Sequence, residues 1–285
     1  MSEASPVDDT KDAQAAPELF ASFIMCVNRD NPWLNEAIES VLAQDDRQFE
    51  FLIGANACSD DLWSKLNIYA AGDARIRLFR TSIGQLSFNL NLLADQAAGE
   101  YLVRMDADDV SLPHRLRTLR ETLERDPADV LGSAVMLIDG KNDVIGRMDF
   151  PESGEAIARA LPKRSVICHP SVAIKKAFLV EMRGYLGGFF SEDTDLWLRA
   201  VRSDAKLRNL PIVLLHYRVH PNQSIMSPVG YAEVASHWLR EWLLRPSWYN
   251  LRGLTVAVSK AVACRRLPGV RRYAGAQSRP PRNQE

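Results

Sequence analysis

The sequence predicts an α/β fold, a mostly parallel sheet with helices packed on both faces. Apolar runs alternate with segments of helical periodicity through the first half of the chain, and such alternation calls for crossover helices on a parallel sheet. The run Tyr101-Leu102-Val103-Arg104-Met105 reads as a buried strand that breaks into three carboxylates, Asp106, Asp108 and Asp109. In an open α/β sheet, ligands bind outside the carboxyl ends of the strands, so these acids face a site and not a core.

Taken in order, residues 1 to 17 are polar and small and are expected to be disordered; with acids and no apolar run, they read as neither a signal peptide nor a membrane anchor. Leu19 to Val27 is the first strand and ends in turn chemistry at Asn28 to Pro32. Trp33, Leu34, Ala37, Ile38, Val41 and Leu42 share one helical face. A strand at Phe49 to Gly54, a helix near Leu62 to Ala70, a strand at Arg75 to Phe79 and a helix from about Gly84 to Ala97 lead into the central strand. Beyond the acids, Leu112, Leu116, Leu119 and Leu123 mark a helix that stops at Asp126-Pro127. Val130 to Ile138 is a strand, and Asp139 to Asn142 a hairpin turn. Signals from Pro151 to Pro170 are mixed and set no boundaries. Ser171 to Ile174 is strand-like, Ser191 to Arg202 a helix, and Ile212 to Tyr217 the final strand. No internal repeat is visible.

A chain of 285 residues can bury one large α/β core or two smaller ones, and 46% hydrophobic with 25% charged residues is ordinary for a folded protein. The net charge of -1 carries no nucleic-acid signature, but it is an average. From Arg240 onward there are ten Arg or Lys against two Glu, so the tail is basic and the body acidic. Cys26, Cys58, Cys168 and Cys264 form no Cys-x-x-Cys pair, which argues against a zinc knuckle or disulfide framework and for a reducing compartment. No window supplies the roughly 18 apolar residues of a membrane span. The expectation is a cytoplasmic protein, free or at the inner face of a membrane.

Oxygen-only ligands as dense as Asp106 and Asp108 suit a hard divalent cation, Mg²⁺ or Mn²⁺, shared with substrate phosphates. Asp109 and Ser111 are equally ordinary helix caps.

With these elements placed, the chain resembles the family-2 glycosyltransferases, inverting enzymes of the GT-A fold. The resemblance spans roughly residues 19 to 224. It rests on an ordered series: the helix ending Ala37 to Gln44; Asp73-Ala74-Arg75-Ile76; Gly84 with Leu90-Asn91; Gly99-Glu100-Tyr101; Arg104 to Asp109; Ser191-Glu192-Asp193-Thr194-Asp195-Leu196-Trp197; and Tyr217-Arg218-Val219-His220. It implies a nucleotide-sugar half over about 18–138, an acceptor half over about 139–235 and an added extension over 236–285. It also implies that Asp106 and Asp108 hold the divalent ion and touch the ribose, with His220 as a third metal ligand. Asp193, with Glu192 beside it at a helix start, matches the base that deprotonates the acceptor hydroxyl. The same four acidic and capping positions, Ser191 to Asp193 and Asp195, would also suit a helix terminus alone.

Asn91 matches an Asn that the family places near the nucleotide. Arg75 either reaches the diphosphate or pairs with a surface acid. His169 falls in a segment the family places near acceptor or diphosphate. One segment departs from the pattern: Ala55-Asn56-Ala57-Cys58-Ser59-Asp60 puts Asn56 where the base-reading Asp belongs. Its amide oxygen still offers an acceptor to the N3 proton of uracil or thymine, so either base can bind; a UDP-sugar is the expected donor. Cys26 likewise replaces a usual Pro, a change read as local packing.

The Gln-x-x-Arg-Trp segment and membrane helices of the processive synthases are absent, so transfer of one or a few sugars is expected. The tail joins Trp238, Leu239, Trp242, Leu243, Leu244, Trp248 and Tyr249 to scattered arginines. That combination suits an anionic membrane presenting a lipid-linked acceptor, or a closing helix packed on the body. A haloacid-dehalogenase-type phosphohydrolase fits Asp106 to Val110 but needs its nucleophile after the first strand. A nucleotidyltransferase or a dinucleotide-binding dehydrogenase needs a Gly-rich first loop, and Cys26 to Pro32 has no Gly. The reading that follows is a metal-dependent sugar transferase acting on a glycan or lipid-linked acceptor in surface-polysaccharide synthesis. Its alternative is a glycosyltransferase-shaped scaffold that has lost catalysis.

Overall fold

The computed structural model describes residues 19–188, 190–220 and 228–266; the disorder expected for residues 1 to 17 and the part of the basic end from residue 267 onward lie outside them. Three strand-helix units come first: β1 (Ala21–Val27) and α1 (Leu34–Leu42), β2 (Phe49–Asn56) and α2 (Asp60–Gly72), β3 (Ile76–Thr81) and α3 (Leu86–Gln96). Then follow β4 (Tyr101–Met105), the short β5 (Val110–Ser111), α4 (Arg115–Arg125), β6 (Val130–Ile138), β7 (Val144–Met148) and α5 (Gly154–Ala160). The remaining elements are β8 (Ala173–Lys175), α6 (Lys176–Glu181), α7 (Glu192–Arg202), β9 (Leu207–Arg218), α8 (Pro228–Leu244) and α9 (Trp248–Arg266).

The strands form one sheet in the order β3-β2-β1-β4-β8-β6-β9-β5, with β7 paired to β6. From β3 to β4 every pairing is parallel. β8 runs against both β4 and β6, so β6 and its parallel neighbour β9 point the same way as β4. The sheet is thus mixed where β5, β7 and β8 join it and mostly parallel elsewhere. The carboxyl ends of β1, β2, β4, β6 and β9 meet at one edge.

Alternation along β1 fixes the two faces: Phe23 and Met25 enter one apolar cluster, with α1 and α4, while Ile24 enters the other, with α3, α5 and α7. Gly99 shows why the turn before β4 needs a glycine. An added Cβ would lie 2.4 Å from the Ala21 carbonyl carbon, and the Gly99 N–H donates to Ser22 Oγ at 2.9 Å.

Several boundaries move for physical reasons. The last strand begins at Leu207, not Ile212, because the irregular register opposite Ser133 to Val135 accommodates Pro211, which lacks an N–H. Neither Asp109 nor Ser111 caps α4, whose N-cap is His114; Ser111 pairs in β5. The mixed region after Pro151 holds α5, which Ser153 caps through its hydroxyl to the Ala156 N–H.

The C-terminal aromatics divide. Trp238 is buried, edge-on to Tyr249 at 5.7 Å, and the Tyr249 hydroxyl donates to the Ala158 carbonyl at 2.8 Å. Helix α9 crosses Trp238 at Gly253, where a Cβ would fall 2.1 Å from a ring atom. Gly253→Ala is therefore expected to lower the melting temperature: overpacking of about 1–3 kcal/mol exceeds the helix-propensity gain of at most about 1 kcal/mol. A thermal melt showing stabilisation would contradict that close crossing.

Candidate active site

At the shared carboxyl edge lies an open cleft of about 840 Å³. The loop after β1, Asn56, Gly84, Asp106, Asp108 and His220 line it together with Glu192, Asp193 and Tyr217. The acids of β4 and of α7, 86 positions or so apart in sequence, face a single space.

Asp106, Asp108 and Asp109 each place a ligand atom within 4.8 Å of the others. Burial, and then the charge of Asp106, pushes the Asp108 carboxyl up, against His220; Asp109 is pushed well up by burial with both neighbours. Such crowding of hard oxygen donors is what a divalent cation relieves. Beneath them Arg104 is buried, and its Nη2 donates to Asp106 Oδ1 at 2.5 Å. Burial disfavours the Arg104 charge, but Asp106, with Cys26 and Tyr185, outweighs it and keeps the guanidinium protonated.

Arg218 knots the loop together. Its N–H donates to Asp109 Oδ1 at 2.8 Å and its Nε to the Asp108 carbonyl at 2.7 Å. Its guanidinium also donates to the Asp139 carbonyl, to Asn142 Oδ1 and, at 2.7 Å, to Glu36 Oε2 on α1. His220, two residues on, sets Nε2 at 2.8 Å from Asp108 Oδ2 and its ring 4.5 Å from that of Trp33.

On the facing side, Asp193 opens α7 and is partly exposed to the cleft. Its Oδ1 accepts from the Thr194 N–H at 2.6 Å, and burial raises its pKa against that bond. Burial, with Asp193 second, pushes Glu192 up to about 7. His169 Nδ1 stands 3.8 Å from Glu192 Oε1, and its Nε2 meets the Tyr185 hydroxyl at 2.9 Å. Burial, aided by the Arg104 charge, holds the His169 pKa well down and leaves a neutral ring.

Ser191 does not cap α7 with its side chain. It turns to α8, where Glu233 Oε2 accepts from Ser191 Oγ at 3.0 Å and from the Phe190 N–H at 3.1 Å. Asp195 is buried between Arg199 and, from α8, Arg240. The start of α7 is thus set by a helix that follows it in the chain.

Asn56 lines the cleft at the end of β2. Its amide is satisfied with Nδ2 donating to the Val27 carbonyl at 3.0 Å and the Gly54 carbonyl at 3.3 Å, which leaves Oδ1 as its acceptor. Two expected nucleotide contacts do not reach the cleft. Arg75 precedes β3, at the opposite edge of the sheet, and its guanidinium is taken by Asp73 and the Leu42 carbonyl over the Phe49 ring. Asn91 clamps the backbone of Tyr185, accepting from its N–H at 2.8 Å and donating to its carbonyl at 2.9 Å. It acts on the site only through Tyr185 and His169.

Tyr185 and Glu233 were not singled out from sequence, and Arg104 and Arg218 entered only as members of quoted motifs, with no role assigned. A cation inside the apolar run Tyr101 to Met105 is a signal for Arg104; Glu233 has no local one. Arg218→Met would strand the carbonyls of Asp108 and Asp139 and release the partly exposed Glu36 carboxylate, at a cost of roughly 2 kcal/mol or more. Denaturant unfolding checks this, and a loss below about 1 kcal/mol would show the knot to be dispensable.

The family model for glycosyl transferase family 2 matches residues 22–182. The O-antigen biosynthesis glycosyltransferase WbnJ of Escherichia coli is 34% identical over 245 residues, 85% of this chain and 96% of that protein. The putative glycosyltransferase EpsE of Bacillus subtilis is 27% identical over 209 residues, 69% of this chain and 72% of its own. Among solved structures, S. aureus TarS 1-349 in complex with UDP-GlcNAc superposes with a TM-score of 0.67 at 16% identity, covering 86% of this chain and 73% of that one. The mannosyltransferase PcManGT from Pyrobaculum calidifontis, in complex with GDP-Man and Mn²⁺, gives 0.60 at 17% identity over 88% and 76%. These two share the fold. Matched by the family model over more than half its length and by a relative along nearly that relative's whole length, the chain belongs to glycosyl transferase family 2.

Proposed function

We propose that this glycosyltransferase moves a sugar from a UDP-sugar to a glycan or lipid-linked acceptor in surface-polysaccharide synthesis, with inversion and with Mn²⁺ or Mg²⁺. One observation carries the reading: the acids after β4 face Glu192 and Asp193 across a single cleft. The O-antigen biosynthesis named for WbnJ supplies the biosynthetic setting by similarity.

Asp106 and Asp108 would hold the cation, with His220, already on Asp108, as the nitrogen ligand beside them. When bound, the cation supplies Lewis-acid neutralisation of the departing diphosphate. Asn56 Oδ1 accepts the N3 proton of the uracil. Asp193 removes the acceptor hydroxyl proton as that oxygen bonds to the anomeric carbon and the bond to the diphosphate breaks on the opposite side. Glu192 stands beside it as a neighbouring carboxyl, with the neutral His169 ring 3.8 Å away.

The test is nucleoside diphosphate release from UDP-, dTDP- and GDP-sugars with Mn²⁺, with and without acceptor. Asp108→Ala should abolish release, and Asp193→Asn should slow transfer about 10²- to 10⁴-fold. Because burial raises the Asp193 pKa, transfer should fall as pH drops through a value above 3.8, at which the base becomes protonated. Full release by Asp108→Ala, or by chelated protein, would sink the metal assignment; no release from any donor would favour the scaffold.

No helix among the described residues is long and apolar enough to cross a membrane. The turn between α8 and α9 nevertheless exposes Leu243 (65%), Leu244 (59%) and Trp248 (87%) in the basic part of the chain. This tip suits shallow insertion at an anionic surface. Trp248→Ser with Leu243→Ser should cut cosedimentation with phosphatidylglycerol vesicles at least tenfold; unchanged cosedimentation would return these residues to the solvated surface.

A further inference from the structure

His169 lines the cleft, whereas Tyr185, to which it is bonded, does not and is buried. The backbone around Tyr185 is gripped at three points. Asn91 takes both its N–H and its carbonyl, Gly184 turns the chain into it at a φ of +72°, and Arg199 Nη2 on α7 donates to the Gly184 carbonyl at 2.8 Å. A Cβ added at Gly184 would lie 2.4 Å from Asn91 Oδ1, so this turn requires glycine. Fixed in this way, the tyrosine sets its hydroxyl 2.9 Å from His169 Nε2.

The direction of that bond follows from what each group lacks. Among the described residues the Tyr185 hydroxyl has no other hydrogen-bond partner, and it does not reach the cleft. Were Nε2 the protonated nitrogen, the hydroxyl would accept from it, and its own hydrogen would be buried without an acceptor. The hydroxyl therefore donates to Nε2. Burial keeps the imidazole neutral, so its one proton sits on Nδ1. Nδ1 in turn faces Glu192 Oε1 at 3.8 Å, where a lone pair would repel a carboxylate and an N–H attracts it. Two partners, on opposite sides of the ring, select the same tautomer.

The effect passes on to the base. Glu192 is also faced by Asp193 and Asp106, which oppose its charge, by Arg104 from β4, which favours it, and by Cys26 from β1, a thiol that burial keeps protonated. The Nδ1–H adds to Arg104 on the side of the carboxylate form, and an ionised Glu192 raises the proton affinity of Asp193 beside it. We infer that Tyr185 is a positioning residue for the transfer step: its hydroxyl holds His169 in the Nδ1–H tautomer, and that N–H steadies the Glu192 carboxylate next to the base. This rests on the transferase reading above and assigns a task to a side chain that touches neither substrate nor metal.

The test is a long-range ¹H–¹⁵N correlation spectrum of the full-length protein labelled with ¹⁵N-histidine, which shows the nitrogen of a neutral ring that holds the proton. Comparison with His169→Gln assigns the His169 signals among the five histidines. The wild type should show a protonated Nδ1 and a bare Nε2, a result that needs no variant to fold. In Tyr185→Phe, whose folding a thermal melt checks, the Nε2 resonance should move downfield as it loses its donor. On the same preparations, kcat for UDP release from the UDP-sugar that the wild type turns over should fall about three- to tenfold in Tyr185→Phe, the size of one lost hydrogen bond, with KM for that donor unchanged. A protonated Nε2 or a doubly protonated ring in the wild type, an unmoved Nε2 resonance in the variant, or an unchanged kcat would overturn the inference. Absence of UDP release from the wild type would sink the transferase reading, and the transfer role of Tyr185 with it, whereas the tautomer is read from the spectrum independently.

Discussion

Three carboxylates with ligand atoms within 4.8 Å of one another repel, and burial makes that repulsion harder to screen. Much of the surrounding structure answers this. Arg104 places a buried positive charge under Asp106, and Arg218 spends its backbone N–H on Asp109 and its side chain on the carbonyls around the loop. The cations neutralise only part of the charge. A loop braced in this way with an excess of oxygen donors has the preorganisation that makes electrostatic stabilisation effective.

The facing wall is built on a different plan. Asp193 owes its position less to its own helix terminus than to α8, through Glu233 on Ser191 and Phe190 and Arg240 on Asp195. From the other side, Asn91 fixes Tyr185, Tyr185 bonds His169, and His169 faces Glu192. The acids after β4 and those at the start of α7 thus have different hydrogen-bonded supports, with the Arg104 charge acting on both.

The strand-helix order was legible because apolar period and turn chemistry are local, and Val130 to Ile138 came out with its true bounds. The acids were legible because they follow a buried strand. The surroundings of Arg75 and Asn91 were not legible, because their places depend on the end of a strand and the face of a helix, which a shift of a residue or two reverses; Arg75 takes the acid-pairing alternative, with Asp73. Arg75 sits one residue before β3 and hence at the amino edge. The support from α8 was invisible, since nothing around Glu233 signals a partner some forty residues upstream.

The hydrogen bond from Arg218 to Glu36 joins positions 182 apart. The parallel half can assemble from units close in sequence, but the loop carrying Asp106 to Asp109 gains its last brace only after β9 has paired with β6. During synthesis the chain therefore carries its acids for more than a hundred residues before they are locked. The receptor is a late product of folding, and a chain that stops short of β9 has the acids without the rigidity to use them.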